Sequence, residues 1–195
     1  TEALIRAGVT AVFAAIDDPD PVSGDGRKRL EEAGIKVETG LLAEEAGWVM
    51  HGFLKFIECG LPHVLLKYAM TLDGKIATVN GDSQWISCTE SRQRVQQMRQ
   101  ECDAVLIGCE TALHDNPRLS VRECGASRQP VRVVADSTLR LTPQAKLFTT
   151  DGGPVVILTS DRASPERQKD LTNAGAELIV TAAVGERVDL KSGLR

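Results

Sequence analysis

Short apolar runs of five to seven residues recur along this chain, and several are followed by a polar stretch at helical spacing that ends in glycine. Residues 10–16, 35–39, 103–108, 130–135, 155–159 and 177–181 read as strands. Residues 27–33, closed by Gly34, and 165–174, closed by Gly175, read as helices between strands. Strands joined through helices must pair in parallel, so the chain is expected to be an α/β protein. In an open sheet of that kind ligands lie beyond the carboxyl ends of the strands, where Thr71, Thr111, Ser137 and Ser160 fall, and one cleft collecting all four is the expectation.

The remaining stretches set the organisation. Residues 1–7 read as the last turns of a helix stopped by Gly8, and 42–57 as a longer helix with Trp48, Phe53, Leu54 and Ile57 as its packing residues. Gly60-Leu61-Pro62 then marks a boundary between a domain over 1–60 and one over 61–195. The run 64–70 is apolar but for Lys67 and reads as a strand. Leu72-Asp73-Gly74-Lys75 breaks it, and a loop with a second glycine turn leads to Trp85. Ser87-Cys88-Thr89-Glu90 has the form of a capping box opening a helix over 89–101, with Val95, Met98 and Cys102 on one face. Arg92, Arg94 and Arg99 lie on that helix, where arginines ordinarily face water. A buried strand over 103–108 is expected to run into Gly108-Cys109-Glu110-Thr111, where the Thr can cap a turn or donate to a phosphate. His114-Asp115-Asn116-Pro117 ends that turn, residues 119–122 form an extended piece, and no G-x-G-x-x-G fingerprint occurs.

Charge and cysteine usage exclude several functions. Lys and Arg total 23 against 27 Asp and Glu, and the net charge of -4 gives no reason to expect nucleic acid or an acidic membrane surface. With no apolar run long enough to cross a bilayer and no signal-peptide pattern at Thr1, a cytoplasmic protein is the expectation. Cys59, Cys88, Cys102, Cys109 and Cys124 form no C-x-x-C pair and are odd in number, which fits reduced thiols. His51, His63 and His114 stand at no zinc-motif spacing, so no metal site is expected.

Several of these stretches closely resemble one family. They are Leu66-Lys67 through Asp73-Gly74-Lys75, Gly81-Asp82-Ser83-Gln84-Trp85-Ile86, Asp115-Asn116-Pro117-Arg118-Leu119 and Arg132-Val133-Val134-Ala135-Asp136-Ser137. In that order they are similar to the reductase half of the bacterial bifunctional riboflavin-biosynthesis deaminase/reductases. Glu2 to Gly8, Glu32-Ala33-Gly34-Ile35 and Gly52-Phe53-Leu54-Lys55 are similar to the tail of that family's cytidine-deaminase-like domain. The resemblance implies a dihydrofolate-reductase-like α/β reductase domain, preceded by the deaminase tail, that dimerises. It implies that NADPH delivers hydride to the ribose C1′ of 5-amino-6-(5-phosphoribosylamino)uracil, opening the sugar to a ribityl chain. Carried over by motif, Lys67, Ser83, Arg99, Leu119 and Arg122 would bind this substrate, and Ala69, Ile76, Trp85, Thr111, Asp115 and Ser137 would contact NADPH.

The residue chemistry suits these roles. Arg99 and Arg122 can grip a phosphate through charge-assisted forks, and Lys67 either snorkels to the surface or points into a cleft. Trp85 is core or the cover of a cofactor, and Asp115 caps a turn or contacts the ligand. Lys67 and Asp115 are the proton-handling candidates, with no catalytic residue assigned. The family's zinc motif, H-x-E with a later P-C-x-x-C, does not occur in these residues, so the zinc of the deaminase part is not expected here. The family's reductase continues past a point like Arg195 into further strands and a glycine-rich segment, so a piece of a longer protein is expected. Two alternatives stay open on the sequence: another NADPH-dependent pterin or pyrimidine reductase of the same fold, preferred if a pterin binds and the phosphoribosyl compound does not, and a non-catalytic scaffold.

Overall fold

The computed structural model describes residues 1–122 and 125–195. Cys124 lies outside the described residues. The chain divides into two compact units, Thr1–Leu66 with Arg195, and Lys67–Leu194.

In the first unit, helix α1 (Glu2–Arg6) leads through Gly8 in the left-handed conformation to strand β1 (Ala11–Ala14). Helix α2 (Gly26–Glu32) crosses to strand β2 (Lys36–Thr39), which pairs with β1 in parallel, Ala11 opposite Lys36. Leu30 and Ile35 are the buried hydrophobic residues of this βαβ unit. Helix α3 (Ala43–Cys59) ends at Gly60, whose positive φ lets its N–H reach back to the Phe56 carbonyl. Against expectation α3 buries none of its residues fully: of the four expected packing residues Trp48 and Phe53 are exposed, and Leu54 and Ile57 are half-buried.

The second unit opens without regular structure. No strand forms over 64–70, a departure from expectation, because no neighbouring segment offers its backbone a ladder. Two turns of one design come next. Thr71 N–H donates to the Lys75 carbonyl at 2.8 Å and Thr78 N–H to the Asp82 carbonyl at 2.8 Å. In each, the Thr hydroxyl accepts from the residue four ahead, and Gly74 or Gly81 supplies the positive φ.

Helix α4 (Thr89–Glu101) is capped by Cys88, and neither Ser87 nor Cys88 makes a side-chain cap bond, so the expected capping box is not formed. Strand β3 (Ala104–Gly108) runs into helix α5 (Cys109–Asp115), followed by β4 (Val131–Ala135), the single-turn α6 (Lys146–Thr149), β5 (Val155–Ser160), α7 (Pro165–Asn173) and β6 (Ala176–Thr181). A two-residue ribbon of β7 (Ala183–Val184) and β8 (Arg187–Val188) and the short α8 (Leu190–Gly193) complete it.

Strands β3, β4, β5 and β6 form one parallel sheet in that order. Alternation along β4 and β5 divides its two faces. Val134, Val155 and Ile157 join Leu139, Leu141, Leu147 and Leu171 in the main core, while Val133 and Leu158 pack with Val188 on the other face. β3, expected to be buried, is an edge strand with no fully buried residue. Arg132 is buried on the main-core side, where its guanidinium donates to the carbonyls of Gly153 at 2.7 Å and of Arg118 and Thr150 at 3.4 Å. A buried cation satisfied this way ties the loop around Arg118 to the turn entering β5. Among the described residues no helix is long and apolar enough to cross a membrane.

Candidate active site

A pocket of about 370 Å³ opens in the second unit between α4, the end of α5, the 117–122 segment and the start of α6. Its walls carry Trp85, Arg99, Asp115, Leu119 and Arg122, and also Gln84, Asn116, Arg118 and Lys146. Four cations thus face one carboxylate in a chain whose net charge is -4. Such a local reversal of sign suits an anion.

Each wall residue is held by the local fold. Helix α5 ends at Asn116, which takes a left-handed backbone conformation (φ 42°), and Pro117 comes next because it cannot continue a helix. Leu119 is also left-handed (φ 55°) yet buried, a conformation that costs a branched residue about 1–2 kcal/mol. Hydrogen bonds two residues further along offset that strain: the Gln129 amide brackets Val121, accepting its N–H at 2.8 Å and donating to its carbonyl at 3.0 Å, as a neighbouring strand would. Gln96 on α4 accepts the Arg122 N–H at 3.0 Å, so the 119–122 segment is pinned from two sides.

Arg99 is half-buried and donates to the Ser120 carbonyl at 3.3 Å. Burial first, and then the nearby Arg122 guanidinium, push its pKa down from the ordinary arginine value. Neither arginine has a carboxylate partner among the described residues. Two like charges brought together on one pocket wall, with no carboxylate partner among the described residues, suit an anion. Asp115 hydrogen-bonds His114 Nδ1 at 2.9 Å, and the exposed Trp85 ring carries Arg92 over its face, 4.4 Å from the centroid.

The other expected site residues lie elsewhere. Lys67 and Ile76 are exposed, Ala69 and Ser83 are half-buried, and none of the four lines the pocket; Ser83 directly precedes Gln84, which does. Thr111 is exposed on α5 beyond the end of β3. Ser137, just past β4, accepts the Val188 N–H on its hydroxyl at 2.8 Å and the Ser160 hydroxyl on its carbonyl at 2.8 Å. The sheet therefore brings Ser137 and Ser160 together at its carboxyl edge, whereas the Thr71 hydroxyl is occupied in its own turn. Sequence reasoning missed Arg118, Asn116 and Lys146. The first two sit inside a motif already singled out, but no local signal marks Lys146, which arrives through a contact 30 residues long in sequence. Among the described residues no group of three or more His, Cys, Asp and Glu is placed to hold a metal ion.

Known proteins are similar to this chain in sequence and in fold. The chain is 38% identical over 181 residues to the riboflavin biosynthesis protein RibD of Aquifex aeolicus and 40% identical over 178 residues to that of Bacillus amyloliquefaciens, covering 92% and 91% of this chain and 50% and 48% of those proteins. It thus spans about half the length of these relatives. Among solved structures, Acinetobacter baumannii RibD superposes with a TM-score of 0.82 at 35% identity, over 99% of this chain and 52% of that one. A diaminohydroxyphosphoribosylaminopyrimidine deaminase/5-amino-6-(5-phosphoribosylamino)uracil reductase of Thermotoga maritima superposes with a TM-score of 0.76 at 30% identity, over 100% of this chain and 66% of that one. The fold is thus the α/β, dihydrofolate-reductase-like one of the reductases of riboflavin biosynthesis. With residues 62–195 matched by the family described as RibD C-terminal domain, the chain belongs to that family.

Proposed function

We propose that this chain carries the reductase site of a riboflavin-biosynthesis deaminase/reductase and that its pocket takes the phosphoribosyl end of 5-amino-6-(5-phosphoribosylamino)uracil. The observation that carries the reading is the pair Arg99 and Arg122, close together on one pocket and without a carboxylate among the described residues. Residues 61–195 are the reductase domain in this reading, and 1–60 the C-terminal part of a deaminase-like domain. The protein acts in the cytoplasm on a soluble small molecule, as a homo-oligomer through the reductase domain.

Arg99 and Arg122 hold the 5′-phosphate, and buried Leu119 packs beside the ribose. Lys67 and Ser83 are assigned to the same substrate by motif. For the cofactor, the exposed Trp85 ring offers a stacking face. Ser137 fits a phosphate or ribose oxygen: its Oγ already accepts from Val188, which leaves its own proton to donate at the carboxyl edge of the sheet. Ala69, Ile76, Thr111 and Asp115 extend that set. NADPH held by these residues would supply a hydride to C1′. The ring C1′–O4′ bond breaks, its electron pair stays on O4′, and a proton is taken up there. Asp115, on the pocket wall and hydrogen-bonded to His114, and Lys67 are the candidates to hand over the proton that O4′ receives. The rest of the rate comes from holding donor and acceptor carbons in a near-attack arrangement.

The test mixes the chain with NADPH and the phosphoribosylamino substrate and follows the nicotinamide absorbance, with substrate affinity measured alongside. Arg99→Ala or Arg122→Ala is expected to weaken substrate binding by about 2–5 kcal/mol, the loss typical of a desolvated charge pair. A change within about 0.5 kcal/mol would mark the residue as surface and end this reading of the pocket. Binding of a pterin but not of the phosphoribosyl compound would transfer the site to a different reductase.

A further inference from the structure

Arg99 and Arg122 use two of the pocket's four cations, and Lys146 has no part in the hydride transfer or its proton uptake. Its place there is not set by its own element, a helix of four residues. Asn116 sets it: the Asn116 side-chain oxygen accepts the backbone N–H of Lys146 at 2.8 Å, joining the end of α5 to the start of α6. Asn116 must also adopt the left-handed conformation that ends α5, and asparagine tolerates this while presenting an amide oxygen. Both properties are needed at one position. The Lys146 ammonium has no hydrogen bond or ion pair among the described residues, so the fold brings it to an anion-attracting pocket and leaves it uncompensated.

A phosphate monoester offers three terminal oxygens and nearly two negative charges at neutral pH. The guanidinium pair is carried by α4 and by the 119–122 segment, and the exposed Lys146 by α6, so three separate elements supply cations to one pocket wall. Asp115, the wall's single carboxylate, is engaged by His114 at 2.9 Å. Resting on the reading of this pocket as the phosphoribosyl site, we infer that Lys146 is a third cation on the substrate phosphate and that Asn116 is the positioning residue that sets it there.

Ribose 5-phosphate, titrated into the chain at low ionic strength and followed by NMR, is the probe. Lys146→Gln is expected to weaken its binding about tenfold, the effect of one charge-assisted hydrogen bond, and Lys146→Arg to restore most of it. Asn116→Gly keeps the left-handed backbone but loses the amide, and should weaken binding about threefold with the melting temperature little changed. Lys169→Gln, which removes the same charge from exposed α7, should stay within about twofold of the parent. If Lys146→Gln binds as the parent does while Arg99→Ala loses binding, the role of Lys146 falls and the phosphoribosyl reading stands. If Lys169→Gln weakens binding as much as Lys146→Gln, the effect is net charge and the inference is overturned. No binding of ribose 5-phosphate by the parent chain overturns both.

Discussion

At the scale of single residues, the sheet's carboxyl edge shows how burial rather than sequence decides ionisation. Asp136 is 1% exposed; one carboxylate oxygen accepts the Leu141 N–H at 2.9 Å, and the other has no hydrogen-bond partner among the described residues. Beside it, the Cys109 thiol is pushed up to about 11, first by burial and then by the negative charge of Asp136. A thiol whose proton is held more tightly in the folded than in the unfolded chain contributes stability that is complete below the unfolded value, about 9, and is lost as pH rises through the folded one. Between about pH 9 and 11 the parent should therefore lose on the order of 2–3 kcal/mol more unfolding free energy than Cys109→Ala. Denaturant titrations across that range measure it, and parallel stability curves for the two proteins would show that Cys109 is not the group responsible. For the same reason, exposed Cys59 and Cys88 should be alkylated at pH 8 long before Cys109.

At the scale of elements, two helix starts make a controlled pair. Ser164 caps α7, accepting the Arg167 N–H at 3.3 Å with Pro165 at the first helical position. Ser87 precedes α4 in a matching local sequence but makes no cap bond, because the helix begins one residue later than the capping-box pattern implies. Ser164→Ala is expected to cost about 1 kcal/mol, and Ser87→Ala less than about 0.5 kcal/mol, read from thermal or denaturant unfolding; equal losses would show that Ser87 caps after all. The contrast also shows what was legible in the chain. Elements whose signals are local, such as α2 closed by Gly34, α7 closed by Gly175 and the Gly74 and Gly81 turns, fall within a residue or two of where the pattern puts them. Where a partner decides, the pattern fails: 64–70 has strand residues but no ladder, β3 is apolar yet lies at an edge, and β7 and β8 are too short to show any period. The site obeys the same rule. Arg99 and Arg122, expected from the motif, line the pocket, while Lys146 is held there by a hydrogen bond that its backbone N–H donates to Asn116 and that no window of sequence contains.

At the scale of the molecule, the two units differ in how much apolar surface each removes from water. Lys67–Leu194 buries Val134, Leu139, Leu141, Leu147, Ile157 and Leu171 almost completely in one cluster. The first unit buries Leu30 and Ile35, and leaves Trp48, Phe53 and Phe56 of its longest helix exposed. Each fully buried large side chain contributes about 1.5–3 kcal/mol, so the second unit has several times the hydrophobic support of the first. Local opening free energy tracks that support, and the slowest amides of a protein mark the elements that open only with the whole unit. Hydrogen exchange should accordingly find its most protected amides in β4 and β5 and rapid exchange along α3. Leu171→Ala, which empties a fully buried site, should cost about 2–5 kcal/mol and speed exchange throughout β4 and β5 together. Leu30→Ala should raise exchange in β1 and β2 and leave β4 and β5 as they were. Were Leu30→Ala to accelerate the central strands as much as Leu171→Ala does, the two units would be one cooperative body, and the loss of either core would have to be read as loss of both.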